Sequence, residues 1–150
     1  MVLVVAIVGV YFLVIFYNNP GSGGENSVSN QTEDLVIRSD IGNFQYYGID
    51  EFKREDGGIY YKTYYNNEGS DGNNNWVEVY IFDSSNSAED YLGPTRSSQS
   101  PKEINGVTIR TESMYNSRIR SWSFDNYIIK VKDSRDSDDA LFEAYLNKYS

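Results

Sequence analysis

The chain of 150 residues contains no cysteine and no histidine. Their absence excludes disulfide scaffolds, cysteine nucleophiles, serine–histidine dyads and nearly all zinc, haem and iron–sulfur sites. Cations are also scarce, since 13 Lys and Arg face 22 Asp and Glu and give a net charge of −9. A protein that binds nucleic acid generally needs a basic surface. We therefore expect no cofactor, no metal site and no nucleic-acid partner.

The sequence is short of aliphatic residues but rich in aromatic ones. The hydrophobic fraction is 39%, and 14 Tyr, 7 Phe and 2 Trp supply core material that is large per residue. With an apolar start and a polar stretch set aside, residues 34–150 have the length of a single domain.

Residues 1–17 carry no charge and are dominated by Val, Leu and Ile. As a helix they would span roughly 25 Å, at the short end of what crosses a bilayer. A cleaved secretory signal would need a basic start and a small-residue cleavage site, and a buried core helix would need polar positions at helical spacing. Neither pattern is present, so we predict a single-pass transmembrane anchor. The lipid bilayer is therefore an expected partner of residues 1–17.

The flank after residue 17 is acidic before its first cation, with Glu25, Glu33 and Asp34 preceding Arg38. This flank favours a domain on the extracytoplasmic side of the cell membrane. Residues 18–33 are rich in Asn, Gly and Ser and predict a flexible linker. Asn30, in Asn30-Gln31-Thr32, is a candidate glycosylation site of an exported domain.

Within the domain, most apolar residues recur with a period of two, which is typical of strands. We predict strands over 59–65, 76–82, 107–113, 118–124 and 127–132, with loops over 66–75 and 93–101. One helix is expected after an N-cap at Asn86 and another after Asp136 or Ser137. Residues 35–52 are ambiguous between strand, helix and irregular structure. The expected fold class is α+β: an antiparallel sheet of about five strands with two helices packed on one face.

The two junctions between a strand and a helix resemble one another. Residues 83–87 and 133–137 both read Asp-Ser-x-(Asn or Asp)-Ser. They are consistent with a duplicated strand-strand-helix unit. Convergence is the alternative, because any chain that enters a capped helix favours Asp, Asn and Ser.

Charge is distributed unevenly along the domain. Residues 33–90 hold 4 basic and 13 acidic side chains, whereas residues 96–132 hold 7 basic and 3 acidic. By period two, one strand places two arginines and Trp122 on one face, and neighbouring strands can add further cations. The candidate binding residues are Arg110, Arg118, Arg120, Trp122, Lys130 and Lys132. Such a face could bind an anionic polymer, a lipid headgroup or an acidic partner. The alternatives are a solvated face whose arginines pair with nearby acids, or a face covered by a helix with Trp122 in the core.

Other candidate sites have weaker patterns. The stretch 67–78 partly follows the spacing of a calcium loop, but Gly69 has no side chain to offer at the third ligand position. The Tyr pairs at 46–47, 60–61 and 64–65 could stack on sugars, although alternation places half of them in the core. No nucleophile motif or phosphate loop accompanies the carboxylates, so we expect no enzyme.

We therefore predict a membrane-anchored, extracytoplasmic binding or interaction domain that contacts an anionic envelope polymer or an envelope protein. The alternative is a structural or assembly subunit of a surface complex. The layout resembles that of pilin-like subunits, which also begin with a hydrophobic helix. The basic, Gly-containing processing site and the acidic residue near the start of that helix are missing here.

Overall fold

The computed structural model describes residues 35–67 and 75–150. The strands are β1 (Phe44–Lys53), β2 (Ile59–Asn67), β3 (Asn75–Ile81), β4 (Gln99–Ile104), β5 (Val107–Ser113), β6 (Ser117–Phe124) and β7 (Tyr127–Ser134). The helices are α1 (Ser85–Leu92), between β3 and β4, and α2 (Ala140–Lys148), after β7.

All the strands belong to one antiparallel sheet in the order β1-β2-β3-β7-β6-β5-β4. Two meanders, β1–β3 and β4–β7, therefore meet where β3 pairs with β7. The central pair is the most apolar part of the sheet, and Val77, Val79, Ile129 and Val131 are completely buried.

Alternation along the strands separates two faces of the sheet. Face A carries Tyr61, Val79, Ile129 and Trp122, and α2 packs on it through Leu141, Phe142, Tyr145 and Leu146. Face B carries Tyr60, Tyr80 and Ile128, and α1 packs on it through Ala88. The two helices thus cover opposite faces of the sheet.

The segment before β1 also lies on face A. Val36 and Ile41 are buried in the same core as α2. Tyr65 donates a hydrogen bond to the Ile37 carbonyl at 2.5 Å, and the Ile37 amide donates to the Tyr145 hydroxyl at 2.9 Å. These bonds satisfy backbone groups that would otherwise be buried without partners.

The predicted fold class is wrong in its strand count. The five expected strands form, but β1 and β4 make the sheet seven-stranded and the domain mostly β. The alternation of β1 is hidden because a register irregularity lies between Tyr46 and Gly48. β4 has the polar sequence Gln-Ser-Pro-Lys-Glu-Ile and occupies an edge, where Pro101 does not interrupt pairing on both sides. The expected loop over 93–101 therefore ends before Gln99, where β4 begins.

The predicted placement of both helices on one face is also wrong, because α1 and α2 pack against separate apolar clusters. Their starting points differ from those expected. The N-cap of α1 is Ser84, whose hydroxyl accepts from the Ser87 amide at 3.2 Å, and the N-cap of α2 is Asp139.

The positions of the helices argue against a duplicated unit. A two-fold axis that exchanges the adjacent antiparallel strands β3 and β7 must be normal to the sheet. Such an axis would place both helices on the same face. The similar junctions are not equivalent either, since Asp83 is exposed before α1 whereas Asp133 is buried within β7.

The predicted anchor (1–17), linker (18–33) and Asn30 lie outside the described residues. Within the described ranges, no helix has both the length and the apolar character needed to span a bilayer.

Candidate functional site

Half of the predicted cationic face is closed by salt bridges beneath α2. Arg118 Nε lies 2.9 Å from Asp133 Oδ1, and Arg120 Nη1 lies 2.8 Å from Asp139 Oδ1. Arg118 also contacts Asp139, and Arg120 also contacts Asp133. Because these acids neutralise both guanidinium groups, this part of face A offers little attraction to an external anion.

Trp122 belongs to the core. It is completely buried, donates from Nε1 to the Tyr149 carbonyl at 2.9 Å, and meets the Phe142 ring edge-on at 5.7 Å between centroids. The Arg120 guanidinium lies 3.8 Å above the same Phe142 ring. The structure thus agrees with the alternative in which a helix covers this face.

The other half of the predicted set lies on face B. Ser121 is the register partner of both Arg110 and Lys130, and Lys132 pairs with Ile119. Partners in register share a face, whereas Arg118, Arg120 and Trp122 alternate with Ile119 and Ser121 along β6. The structure therefore does not bring the six predicted residues onto one surface.

Arg110 fixes the end of α1. Its Nη1 donates to the Leu92 carbonyl at 3.2 Å and to the Gly93 carbonyl at 2.6 Å. A cation at a helix C-terminus satisfies free carbonyls and interacts favourably with the helix dipole. Arg110 therefore has a positioning role in holding the helix on face B.

A furrow runs along β6 on face B because this strand places small side chains there. Its face B residues are Ser117, Ile119, Ser121 and Ser123, while its bulky residues point to face A. Ser123 pairs with Ile128, on which Ala88 of α1 packs, so the helix covers that end of the strand. The remaining part of the furrow has a floor of Ile119 and Ser121 and a volume of 320 Å³.

One wall of the furrow holds Trp76 and Glu78 of β3 together with Lys130 of β7. Glu78 is 8% exposed, and both of its oxygens are engaged. Lys62 Nζ donates to one at 2.9 Å, and the Tyr80 hydroxyl donates to the other at 2.7 Å. The Lys62 ammonium also lies 4.3 Å from the Trp76 ring. Burial, with the nearby Glu78, raises the pKa of Tyr80, so its phenol stays a donor.

Lys130 differs from Lys62 in its pairing. The ion pairs of residues 35–67 and 75–150 involve Arg54, Lys62, Arg118 and Arg120, and Lys130 is in none of them. Its ammonium lies 4.5 Å from the Tyr80 ring and 5.7 Å from the Tyr91 ring. Burial lowers the pKa of Lys130 despite the opposing effect of Glu78, and Arg96 lowers it further. Lys130 is thus a partly desolvated cation that forms no salt bridge, although the charge of Glu78, its register partner on β3, stabilises its ammonium.

The opposite wall consists of Gln99 and Glu112, and Tyr91, Leu92 and Arg96 close the end near α1. Gln99 and Glu112 are register partners on β4 and β5. Gln99 Oε1 accepts a hydrogen bond from the Arg96 backbone amide at 3.0 Å. The side-chain NH2 group of Gln99 takes no part in that bond and can donate another. The furrow therefore presents two cations, two carboxylates, an amide, a serine and two aromatic rings.

Several furrow residues could not be found by searching the sequence for bulky or charged patterns. The available signal is the second alternation of β6, in which Ser, Ile, Ser and Ser occupy every other position. The prediction from sequence uses only the other set of alternate residues, which contains Arg118, Arg120 and Trp122. The Gln99 and Arg96 positions depend on β4, which was not predicted.

The tyrosine pairs and the calcium-like pattern are the remaining candidates from the sequence. Tyr61 and Tyr65 are buried on face A, whereas Tyr60 and Tyr64 lie on face B, as alternation predicts. Glu78, the last residue of the calcium-like pattern, pairs with Lys62. Part of that pattern, 68–74, lies outside the described residues, and the rest of the described chain contains no group of three or more acids arranged to hold a metal ion.

No protein-family model and no curated protein matches the chain. A solved structure of a GTP-binding regulator from Thermotoga maritima is similar with a TM-score of 0.48 and 12% sequence identity. The similarity covers 77% of this chain and 78% of that chain. At this level the likeness carries no argument about function.

Proposed function

We propose that the domain is a binding module and that the furrow along β6 holds an anionic group of an extended polymer. The observation that carries this proposal is Lys130, a partly buried ammonium that lines the furrow and forms no salt bridge, while the carboxylate of its neighbour Glu78 is engaged by Lys62 and Tyr80. Retaining such a cation costs desolvation free energy, and an anionic ligand would recover that cost. Arg96, exposed at the same end of the furrow, adds a second positive charge.

The furrow is open at the end away from α1, which favours an extended ligand over a small enclosed one. β6 continues beyond Ile119 to Ser117, another small residue on face B. A polymer that lies along the strand can therefore pass over Ser121 and Ser117, with Ile119 between them as an apolar contact.

The carboxylates of the furrow are not arranged for hydrolysis. Glu78 and Glu112 lie on strands separated by β7 and β6, so their backbones are roughly 14 Å apart. Paired catalytic carboxylates in glycosidases lie about 5–9.5 Å apart, so these two glutamates would have to extend toward each other to form such a pair. Lys62 also draws the Glu78 carboxylate toward β2, which is away from Glu112. Binding without catalysis is the function this geometry supports.

Binding of polygalacturonate and of poly-L-glutamate to the full chain, measured by isothermal titration calorimetry, tests the proposal. The variant Lys130→Gln with Lys132→Gln should lose at least about tenfold in affinity for every polyanion that wild type binds, since each cation–anion contact contributes about 1 kcal/mol or more. Affinity should also fall with added salt, because exposed charges are screened.

The matched control is Lys53→Gln with Lys102→Gln, which removes the same charge from exposed positions on β1 and β4. It should bind like wild type. If the control pair loses as much affinity as the furrow pair, the attraction is a property of total charge and the furrow is not the site.

The membrane-anchored, extracytoplasmic placement of this module is part of the proposal and rests on the uncharged sequence of residues 1–17. Protease treatment of intact cells, followed by detection of the carboxyl terminus, tests it. Loss of the terminus is expected, and its protection until lysis would contradict the placement.

A further inference from the structure

The furrow combines groups that an acidic saccharide needs and that a simple anion site does not. We infer that its ligand is an acidic polysaccharide, with a carboxylate on Lys130 and Arg96 and a sugar ring against Trp76. This inference rests on the proposed function, since it names the class of polymer that the same furrow binds.

Trp76 supplies the flat apolar surface. Its ring lines the furrow and is only partly buried. The Lys62 ammonium lies 4.3 Å from the ring and contributes a cation–π interaction that helps to hold it in place. The C–H face of a pyranose packs on an indole, and a ring that is already held loses little side-chain entropy when it binds.

Glu112 explains why a carboxylate belongs in a site for an anion. It lies on β5 across the furrow from Trp76, two residues along the strand from the row of Lys130, and among the described residues it takes part in no salt bridge. A second anionic group of the ligand would be repelled there. A sugar hydroxyl can instead donate to a carboxylate, and hydrogen bonds to charged acceptors are stronger than neutral ones.

The floor of the furrow and the wall formed by Gln99 and Glu112 are suited to hydroxyl groups as well. Ser121 can both donate and accept, and the Gln99 side-chain amide can donate. An acidic polypeptide would place carboxylates along the furrow without hydroxyl donors for Glu112. The mixture of donors, acceptors and an indole ring therefore favours a saccharide over a polypeptide of the same charge.

Two polymers with one carboxylate per repeat separate these classes. Calorimetric titration of the full chain should show polygalacturonate binding about three- to tenfold more tightly than poly-L-glutamate at equal carboxylate concentration, as expected for one stacked ring. Trp76→Leu should remove the preference and retain the weaker, charge-based affinity for both polymers. Trp76→Tyr, which keeps a flat ring, should retain most of the preference. Tyr47→Leu, at an aromatic residue 75% exposed on the edge strand β1, is the control and should bind like wild type.

The outcomes distinguish this inference from the proposed function. Equal affinity for the two polymers, or tighter binding of poly-L-glutamate, would overturn the saccharide assignment while the furrow remains a polyanion site. A preference that survives in Trp76→Leu would overturn the assigned role of the ring. If neither polymer binds to wild type, the proposed function itself fails.

Discussion

Lys130 is the residue at which stability and function oppose each other. Burial lowers its pKa, which means that the folded protein disfavours the charged form relative to the unfolded chain. At neutral pH this penalty is fully present. The free-energy cost of burying the charge diminishes as pH rises from the lowered pKa of Lys130 toward roughly 10.4, the pKa of an unfolded lysine, because the folded protein loses the proton first.

Lys130→Met should therefore stabilise the protein and weaken polyanion binding. We expect the free energy of unfolding at pH 7 to rise by about 0.5–2 kcal/mol, and the gain to shrink at pH 10. Urea unfolding at both pH values measures it, with Lys53→Met as the exposed control. A loss of stability at pH 7 would mean that the interactions of Lys130 with the Tyr80 and Tyr91 rings outweigh its desolvation.

Asp133 is the corresponding residue on face A, and it differs from Lys130 because it forms salt bridges with two cations. Its buried carboxylate contacts Arg118 and Arg120. Asp133→Ala should destabilise the protein by about 3–5 kcal/mol, because it leaves Arg120 buried without its closest partner. Thermal unfolding measures this, and Asp136→Ala, at an exposed acid nearby, should change stability by less than about 0.5 kcal/mol. Equal losses of stability in the two variants would show that the salt bridges of Asp133 stabilise the fold no more than an exposed acid does.

At the scale of elements, β6 shows how one strand serves two purposes. Its even-numbered residues supply the core and the salt bridges beneath α2, and its odd-numbered residues form the floor of the furrow. Helix α1 closes one end of that furrow and is only eight residues long. A helix this short depends on tertiary contacts for stability.

Arg110→Met should release α1 from the sheet. Loss of the bonds to the Leu92 and Gly93 carbonyls should cost about 1.5–3 kcal/mol and increase amide hydrogen exchange within residues 88–93. Lys102→Met, on the exposed edge strand β4, is the matched control. If exchange in α1 does not change, Arg110 does not position the helix.

The elements that sequence analysis predicted are those in which local pattern and tertiary environment agree. β2, β3, β5, β6 and β7 each alternate cleanly, and each is paired on both sides. The sequence does not distinguish strand from helix or irregular structure for β1 and does not predict β4, because edge strands bury less surface and so tolerate Gly48, Pro101 and charged side chains. The face on which each helix packs depends on the path of the whole chain, and no local pattern records it.

The candidate site was predicted only in part for the same reason. Lys130 and Lys132 were chosen for their charge, and they do lie beside the furrow or next to its floor. Arg118, Arg120 and Trp122 were assigned to the same surface because the register of β6 against its neighbours was unknown. A shift of one residue exchanges the two faces of a strand, so register decides which side chains meet.

At the scale of the whole molecule, the two faces of the sheet have different roles. Face A holds the larger apolar core, α2 and the segment that leads into β1. Face B is covered only in part by α1, and its uncovered region holds the furrow. We therefore expect a ligand to affect face B alone.

Mapping of backbone amide shifts in the 15N-labelled full chain, titrated with a short oligogalacturonate in detergent solution, tests this account most directly. Shifts should concentrate at Ile119, Ser121, Lys130 and the end of α1, and remain small for α2. Shifts centred on α2 or on the free edge of β1, with the β6 amides unchanged, would contradict the assignment of the furrow as the binding site.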